Sequence, residues 1–301
     1  MLVEVIMPPA TMEWLRQTQG DKVSSLYGVM RQELERLVQS NDQIAAMVLI
    51  GSRAKQGAEE PDVAADLDAV VFSDQAEDLR ASQRWLADLG RIWVDSQDVV
   101  LDVLPVRSLL FDDAVALDLV IVPPSAADQT PTNQALARLV SRGFEVVKDT
   151  IDLASKLEAF GAGAIRPTQE EFAAVTARFW TEAIRAVKRL GRGEHWVAKH
   201  AVDGRMKDLL MQVLTWQARA SRGPTWETYW NGRHLETWAG ARALEELAGC
   251  YATLEPDSIR QALFATMDAF RLVAMETASR LGFDYLEMAD RKATVWARTW
   301  Q

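Results

Sequence analysis

Apolar positions recur at helical spacing between Asp21 and Gln39, where Leu26, Met30, Leu34, Leu37 and Val38 share one face and predict a helix. The period then changes. Ile44–Ile50 is a short continuous apolar run that reads as a strand and ends in Gly51-Ser52-Arg53. A loop leads from there to Asp66 and Asp68, which open a second apolar run, Ala69–Phe72. Helical spacing returns over Gln75–Leu89, with Leu79, Leu86 and Leu89 inward and Gly90 as the stop. Val99–Pro105 and Arg107–Phe111 are short apolar runs. Asp112-Asp113 signals a turn, and Ala114–Val122 predicts a strand ended by Pro123-Pro124, so a hairpin is expected about the two aspartates. Phe144–Val147 is one more short strand.

Beyond Pro167 the pattern is helical throughout. Thr168 and Glu171 have capping-box spacing, and Phe172, Val175, Phe179, Ala183, Val187 and Leu190 continue the period to Gly191. Further helices are expected from about Trp196 to Ala220, from Leu235 to Tyr251, and from Ser258, with Gln261 three residues on, to Leu281 before Gly282. The expected fold class is therefore α+β. A mixed sheet with helices occupies residues 1–160, and a helical bundle occupies 161–301, the change falling near Gly161-Ala162-Gly163-Ala164. Residues 1–20, broken by Pro8-Pro9, read as a short extension.

Composition adds limits. The 301 residues suffice for two ordinary domains. A net charge of −10 disfavours a nonspecific nucleic-acid binder and suits a cationic ligand, although solubility alone also accounts for it. No apolar run approaches membrane-spanning length, and MLVEVIMPPATMEW does not read as a signal peptide. The lone cysteine, Cys250, cannot make an internal disulfide and is expected as a small buried apolar residue in a cytoplasmic protein. Most of the 11 tryptophans are expected in the core, with one or two left to line a cleft. His195, His200 and His234 have no zinc-like spacing.

The candidate chemistry lies at the Gly-Ser turn and the acids behind it. Residues two apart on a strand share a face, so Asp66 and Asp68 form a carboxylate pair close to Gly51-Ser52. A lone Asp-x-Asp is usually a solvated loop feature. Here it opens an apolar strand, and Asp118 adds a charge inside another, where burial without a partner is costly. If the two strands are neighbours, three carboxylates meet. Such a set can hold Mg²⁺ and accept a proton from an attacking hydroxyl. A Gly-Ser turn offers backbone N–H groups and a hydroxyl to phosphate oxygens. Arg53 can add a cation there or merely bridge a surface acid. Lys188, with Arg189, Arg192 and Lys199, is a second cation candidate or a solvated helix face.

Gly51-Ser52-Arg53, Asp66-x-Asp68 and Asp118 resemble the active-site pattern of the nucleotidyltransferase superfamily, which shares the DNA polymerase β fold. IGSRA, ALDLVIV, VVKD at Val146–Asp149, Phe179-Trp180, AVKRLGRGE, LLMQVLTW and YWNGRHLETW, in that order, resemble the aminoglycoside 6-adenylyltransferase (streptomycin adenylyltransferase) family. The resemblance covers nearly everything from residue 21 to residue 290. It implies ATP as co-substrate, Mg²⁺ as cofactor, and AMP transfer to a hydroxyl of a cationic aminoglycoside, with antibiotic inactivation as the outcome. It implies Asp66 and Asp68 as metal ligands, Asp118 as the third carboxylate, Gly51, Ser52 and Arg53 at the phosphates, and Lys188 near the nucleotide. A monomer or homodimer acting on small molecules, without nucleic-acid or membrane partners, is expected. Departures are a long loop after Ser52 carrying AEEPD, Ala65 before the first acid, and the extra N-terminus. They bear on the acceptor, for which Asp95, Asp98 and Asp102 are candidate acids. Another small-molecule or protein acceptor, or a regulator that binds nucleotide without turnover, is the alternative.

Overall fold

A computed structural model describes residues 26–54, 65–141, 143–161, 166–224 and 226–300. The expected N-terminal extension, the start of the first helix, the loop containing AEEPD and the Gly161–Ala164 stretch fall wholly or partly outside them. The chain divides into two compact units, Met1–Gly163 and Ala164–Gln301.

The first unit is built on six strands: β1 (Ala46–Ile50), β2 (Leu67–Phe72), β3 (Ile92–Val100), β4 (Leu104–Phe111), β5 (Ala116–Val122) and β6 (Glu145–Asp149). They form one sheet in the order β3-β4-β5-β2-β1-β6. Every neighbouring pair is antiparallel except β2 and β5, which run parallel. Side-chain alternation sends Met47, Leu49, Leu67, Ala69, Val71, Leu117, Leu119 and Ile121 into one core. There they meet Tyr27, Met30, Leu34 and Val38 of α1 (residues 26–40) and Leu79 of α2 (Ala76–Ala81). The opposite face sends Ala46, Val48, Val70, Phe72, Val120 and Val122 against α3 (Thr132–Val140) and α4 (Leu153–Gly161). Both faces of the central strands are thus buried, which is why they read as continuous apolar runs rather than alternating ones.

Lys148 and Asp149 of the VVKD segment hold helix ends. Lys148 Nζ donates to the carbonyls of Val38 and Asn41, at 3.1 and 2.9 Å, satisfying acceptors at the end of α1. The Asp149 carboxylate accepts from the backbone N–H of Leu153 and Ala154 at 3.0 and 2.8 Å, capping α4.

The second unit is helical, and its described residues contain no strand. The chain order is α5 (Gln169–Gly191), α6 (His195–His200), α7 (Met206–Arg222), α8 (Leu235–Trp238), α9 (Ala241–Leu247), α10 (Pro256–Leu281) and α11 (Glu287–Thr299). The Thr168–Glu171 capping box is present in both directions. Phe179 and Phe270 stack at 3.6 Å in the core, flanked edge-on by Trp180. Cys250 is buried, as expected. So are Trp180, Trp216 and Trp238, whereas Trp196 lies 73% exposed.

Several expected elements are revised. The helix over Gln75–Leu89 is α2 followed by a separate 3-10 stretch, Arg84–Leu89. The apolar run at Val99–Pro105 is the end of β3, the turn at 101–103 and the start of β4. The helix expected from Trp196 is interrupted by a π-helical turn at Ala201–Arg205. Behind this turn Lys207 is buried, donating to Val202 O at 2.9 Å and Thr266 Oγ1 at 2.7 Å, and burial pulls its ammonium pKa down to about 8. The expected Leu235–Tyr251 helix breaks at Gly240, which is extended. The helix expected from Ser258 begins at Pro256 after Glu255, and the Ser258 hydroxyl accepts from the N–H of Thr253 instead.

Candidate active site

The end of β1, the start of β2 and the middle of the β4–β5 hairpin place the candidate residues. Leaving β1, the chain turns through a short 3-10 stretch, Gly51–Arg53. Gly51 has φ +74°, a conformation open to glycine, and a Cβ there would lie 2.5 Å from Asp68 Oδ2. The turn therefore passes against the Asp68 carboxylate with no room for a side chain. Ile50 and Asp68 are register partners across β1 and β2.

Asp118 is the register partner of Asp68 across the parallel pair β2 and β5. The condition set by the sequence, that the two acidic strands be neighbours, is met. Both side chains point to the face that also carries Val70 and Val120, leaving Leu117 and Leu119 to the other core. Asp68 and Asp118 are half-buried, and Asp66, immediately before β2, is exposed. Asp118 makes no hydrogen bond or ion pair among the described residues. A half-buried carboxylate facing another carboxylate is costly unless a cation or a hydrogen-bond donor joins it.

Among the described residues no three His, Cys, Asp or Glu side chains already form a group able to hold a metal ion. The donors present still suit Mg²⁺. That ion takes hard oxygen ligands, and it typically uses one or two protein carboxylates completed by substrate phosphates and water rather than an all-protein cage. Asp68 and Asp118 lie in register and Asp66 immediately precedes β2, so these are the carboxylates that would hold it.

Arg53 is less a free cation than its sequence position implies. Its guanidinium lies 3.8 Å from the centre of the Tyr27 ring, and its Nε donates to Ala65 O at 2.6 Å. It thus ties the glycine turn to the residue before Asp66. Tyr27 is buried, and its hydroxyl accepts from Ala116 N–H at 2.9 Å, so one aromatic side chain spans from Arg53 to the start of β5. Ser52 is half-buried within the turn. Lys188 belongs to the second unit, where it is exposed near the end of α5 with Nζ 5.6 Å from the centre of the Trp296 ring.

Of the acids proposed for acceptor recognition, Asp95 is already engaged. Arg107 Nε and Nη2 donate to its two carboxylate oxygens at 2.9 and 2.7 Å, and Gln83 adds a third bond at 2.6 Å. Asp98 and Asp102 are exposed. Sequence inspection missed Ser108, which stands opposite Asp118 on β4. A single serine in a strand carries no periodic signal, and only strand register brings it to the site.

A family model described as streptomycin adenylyltransferase matches residues 28–299. The aminoglycoside 6-adenylyltransferase of Campylobacter jejuni is 22% identical over 255 residues, covering 82% of this chain and 86% of that protein. The crystal structure of an aminoglycoside 6-adenyltransferase from Bacillus subtilis is similar at 18% identity and a TM-score of 0.42, covering 88% of this chain and 94% of that one.

Proposed function

The chain belongs to the streptomycin adenylyltransferase family, and from that premise we propose that it transfers AMP from ATP to a hydroxyl of a cationic, streptomycin-like aminoglycoside and so inactivates it. The observation that carries this proposal is the in-register pair Asp68 and Asp118, closed against the Gly51 turn.

The turn supplies backbone N–H groups and the Ser52 hydroxyl to the triphosphate, and the missing side chain at Gly51 lets this turn lie directly against the Asp68 carboxylate. Asp66 and Asp68 would hold Mg²⁺, which when bound neutralises charge on the phosphates and polarises the α-phosphorus. Asp118 accepts the proton of the attacking hydroxyl. The acceptor oxygen forms a bond to the α-phosphorus, the bond from that phosphorus to the bridging oxygen breaks, and pyrophosphate leaves with its electron pair. Arg53 holds the turn against Ala65 and so keeps the phosphate cradle in line with Asp66. Lys188 is assigned to the nucleotide by family pattern, its exposure leaving it accessible to a phosphate.

Pyrophosphate release from ATP and Mg²⁺ is expected to depend on added streptomycin. Release with other hydroxyl acceptors but not with streptomycin would retain nucleotidyl transfer and replace the acceptor. Nucleotide binding without release under any acceptor would instead favour a regulator that has lost turnover.

A further inference from the structure

The carboxylate pair belongs to a row that crosses the sheet. Ser96 on β3 is the register partner of Ser108 on β4, Ser108 of Asp118 on β5, and Asp118 of Asp68 on β2. Direct cross-strand partners present their side chains on the same face. Ser96, Ser108, Asp118 and Asp68 therefore form a continuous polar track running from the edge strand to the glycine turn. Two residues along, the next same-face row begins with Asp98, opposite Val106, which is opposite Val120. Asp98 thus shares the face of the catalytic pair.

The other face of β3 is committed to structure. Asp95 is held by Arg107 and Gln83, and Gln97 Nε2 donates to Arg80 O at 3.2 Å. On the Ser96 face the side chains are nearly unused. Among the described residues Ser96 Oγ makes one long contact, 3.5 Å to Ser108 O, and Asp98 Oδ1 accepts only the N–H of its own neighbour Val99 at 2.7 Å. No lysine or arginine pairs with Asp98 among the described residues. The sheet edge thus offers hydroxyls beside the third carboxylate and then an exposed carboxylate whose charge no described residue matches.

We propose that this track is the acceptor subsite, with Ser108 holding the hydroxyl that reacts and Asp98 binding a guanidinium or ammonium group of the same molecule. The proposal rests on the AMP-transfer function above and deepens it by placing the acceptor on the β3–β4 side of the carboxylate pair. Two strand spacings across and two residues along put Asp98 on the order of 10 Å from Asp118. The acceptor is then a polyhydroxy cation whose positive group lies at about that distance from the hydroxyl that takes AMP. Asp95, although nearer in sequence to the edge-strand centre, takes no part because its charge is already matched.

Calorimetric titration of streptomycin into the full chain without ATP, beside streptomycin-dependent pyrophosphate release, tests this placement. Asp98→Lys is expected to weaken streptomycin binding by about tenfold and Asp98→Asn by about threefold, losses of one solvent-exposed charge contact with and without added repulsion. Asp98 is exposed on an edge strand, so thermal melting of either variant should match the wild type. Ser108→Ala is expected to raise the streptomycin KM about fivefold with the ATP KM unchanged, and Ser108→Thr, which keeps the hydroxyl, to restore it. Wild-type protein that binds no streptomycin, or an Asp98→Lys variant that binds it with unchanged affinity, overturns the placement. Streptomycin binding that depends on Asp98 but yields no pyrophosphate supports the subsite and removes the AMP-transfer function. Full streptomycin-dependent release in Asp98→Lys at unchanged KM does the reverse.

Discussion

Asp118→Asn is expected to cut streptomycin-dependent turnover by about 10³-fold, within the range for loss of a positioned general base, while leaving thermal stability unchanged or slightly raised. The two readouts separate for one physical reason. Asp118 sits half-buried in register with Asp68 and has no hydrogen-bond or ion-pair partner among the described residues. No described residue relies on the Asp118 side chain for a hydrogen bond or ion pair, and an isosteric amide keeps its shape, so the fold loses no contact. On the proposed mechanism the same charge takes the proton of the attacking hydroxyl once nucleotide and acceptor are bound. A structural aspartate would behave otherwise, because its removal would lower the melting temperature and touch activity only through folding. Steady-state pyrophosphate assays beside thermal melts of the two proteins separate the cases. Activity within about tenfold of wild type, small for loss of a group acting at the reacting atoms, would sink the assignment.

The second large effect concerns stability. Arg107→Ala is expected to destabilise the first unit by about 3 kcal/mol, the lower end of the range for breaking a buried pair because Asp95 keeps some access to water. Arg107 is 1% exposed on β4, and its guanidinium donates to both Asp95 oxygens and to the carbonyls of Leu79 and Ser82, at 3.1 and 2.8 Å. One side chain thereby fastens the β3–β4 hairpin to the end of α2. The Arg107 guanidinium beside Asp95 holds that carboxyl below its ordinary value of 3.8. The contribution is then fully present above that value and is lost as pH falls through the lower, folded-state pKa. The stability gap between wild type and Arg107→Ala should accordingly narrow on acidification below 3.8, a trend that urea melts at stepped pH will read. A gap that stays constant across that range would contradict the ion-pair account. Because β4 also carries Ser108, the variant should lose acceptor affinity before it loses its fold.

Much of this arrangement was legible in the chain, and the exceptions have physical causes. A charge inside an apolar strand is expensive, so Asp118 announced itself, and its strand does lie beside that of Asp68, whereas Asp66 stands just before β2, where strand alternation does not reach. Central strands buried on both faces are continuous apolar runs that need no register to be seen. Strand β3 was overlooked because an edge strand with most of its side chains in water keeps no apolar period. Ser108 and the polar track followed it into obscurity, since they exist only once β3, β4 and β5 are aligned. Helix α11 escaped for a related reason. Its buried positions include Ala293, Ala297 and Asp290, two of them small and the third an acid. That acid is held by a two-pronged bond from Arg271 and by the Tyr285 hydroxyl. The π turn before α7 left no mark because the residues on either side keep ordinary helical spacing. Motif residues also divided by task in a way no sequence pattern shows. Lys148 and Asp149 cap helices, and Arg53 packs on Tyr27 and donates to the Ala65 carbonyl.

The central claim is that the carboxylate pair beside the Gly51 turn moves a nucleotidyl group, and the position of the label in the product tests it most directly. Incubation with Mg²⁺, streptomycin and ATP labelled at either the α- or the γ-phosphate, followed by separation of the modified acceptor, distinguishes the chemistries. The account predicts α-label on streptomycin and γ-label in free pyrophosphate. γ-Label on streptomycin, or α-label retained in ADP, would mean phosphoryl rather than nucleotidyl transfer and would contradict it.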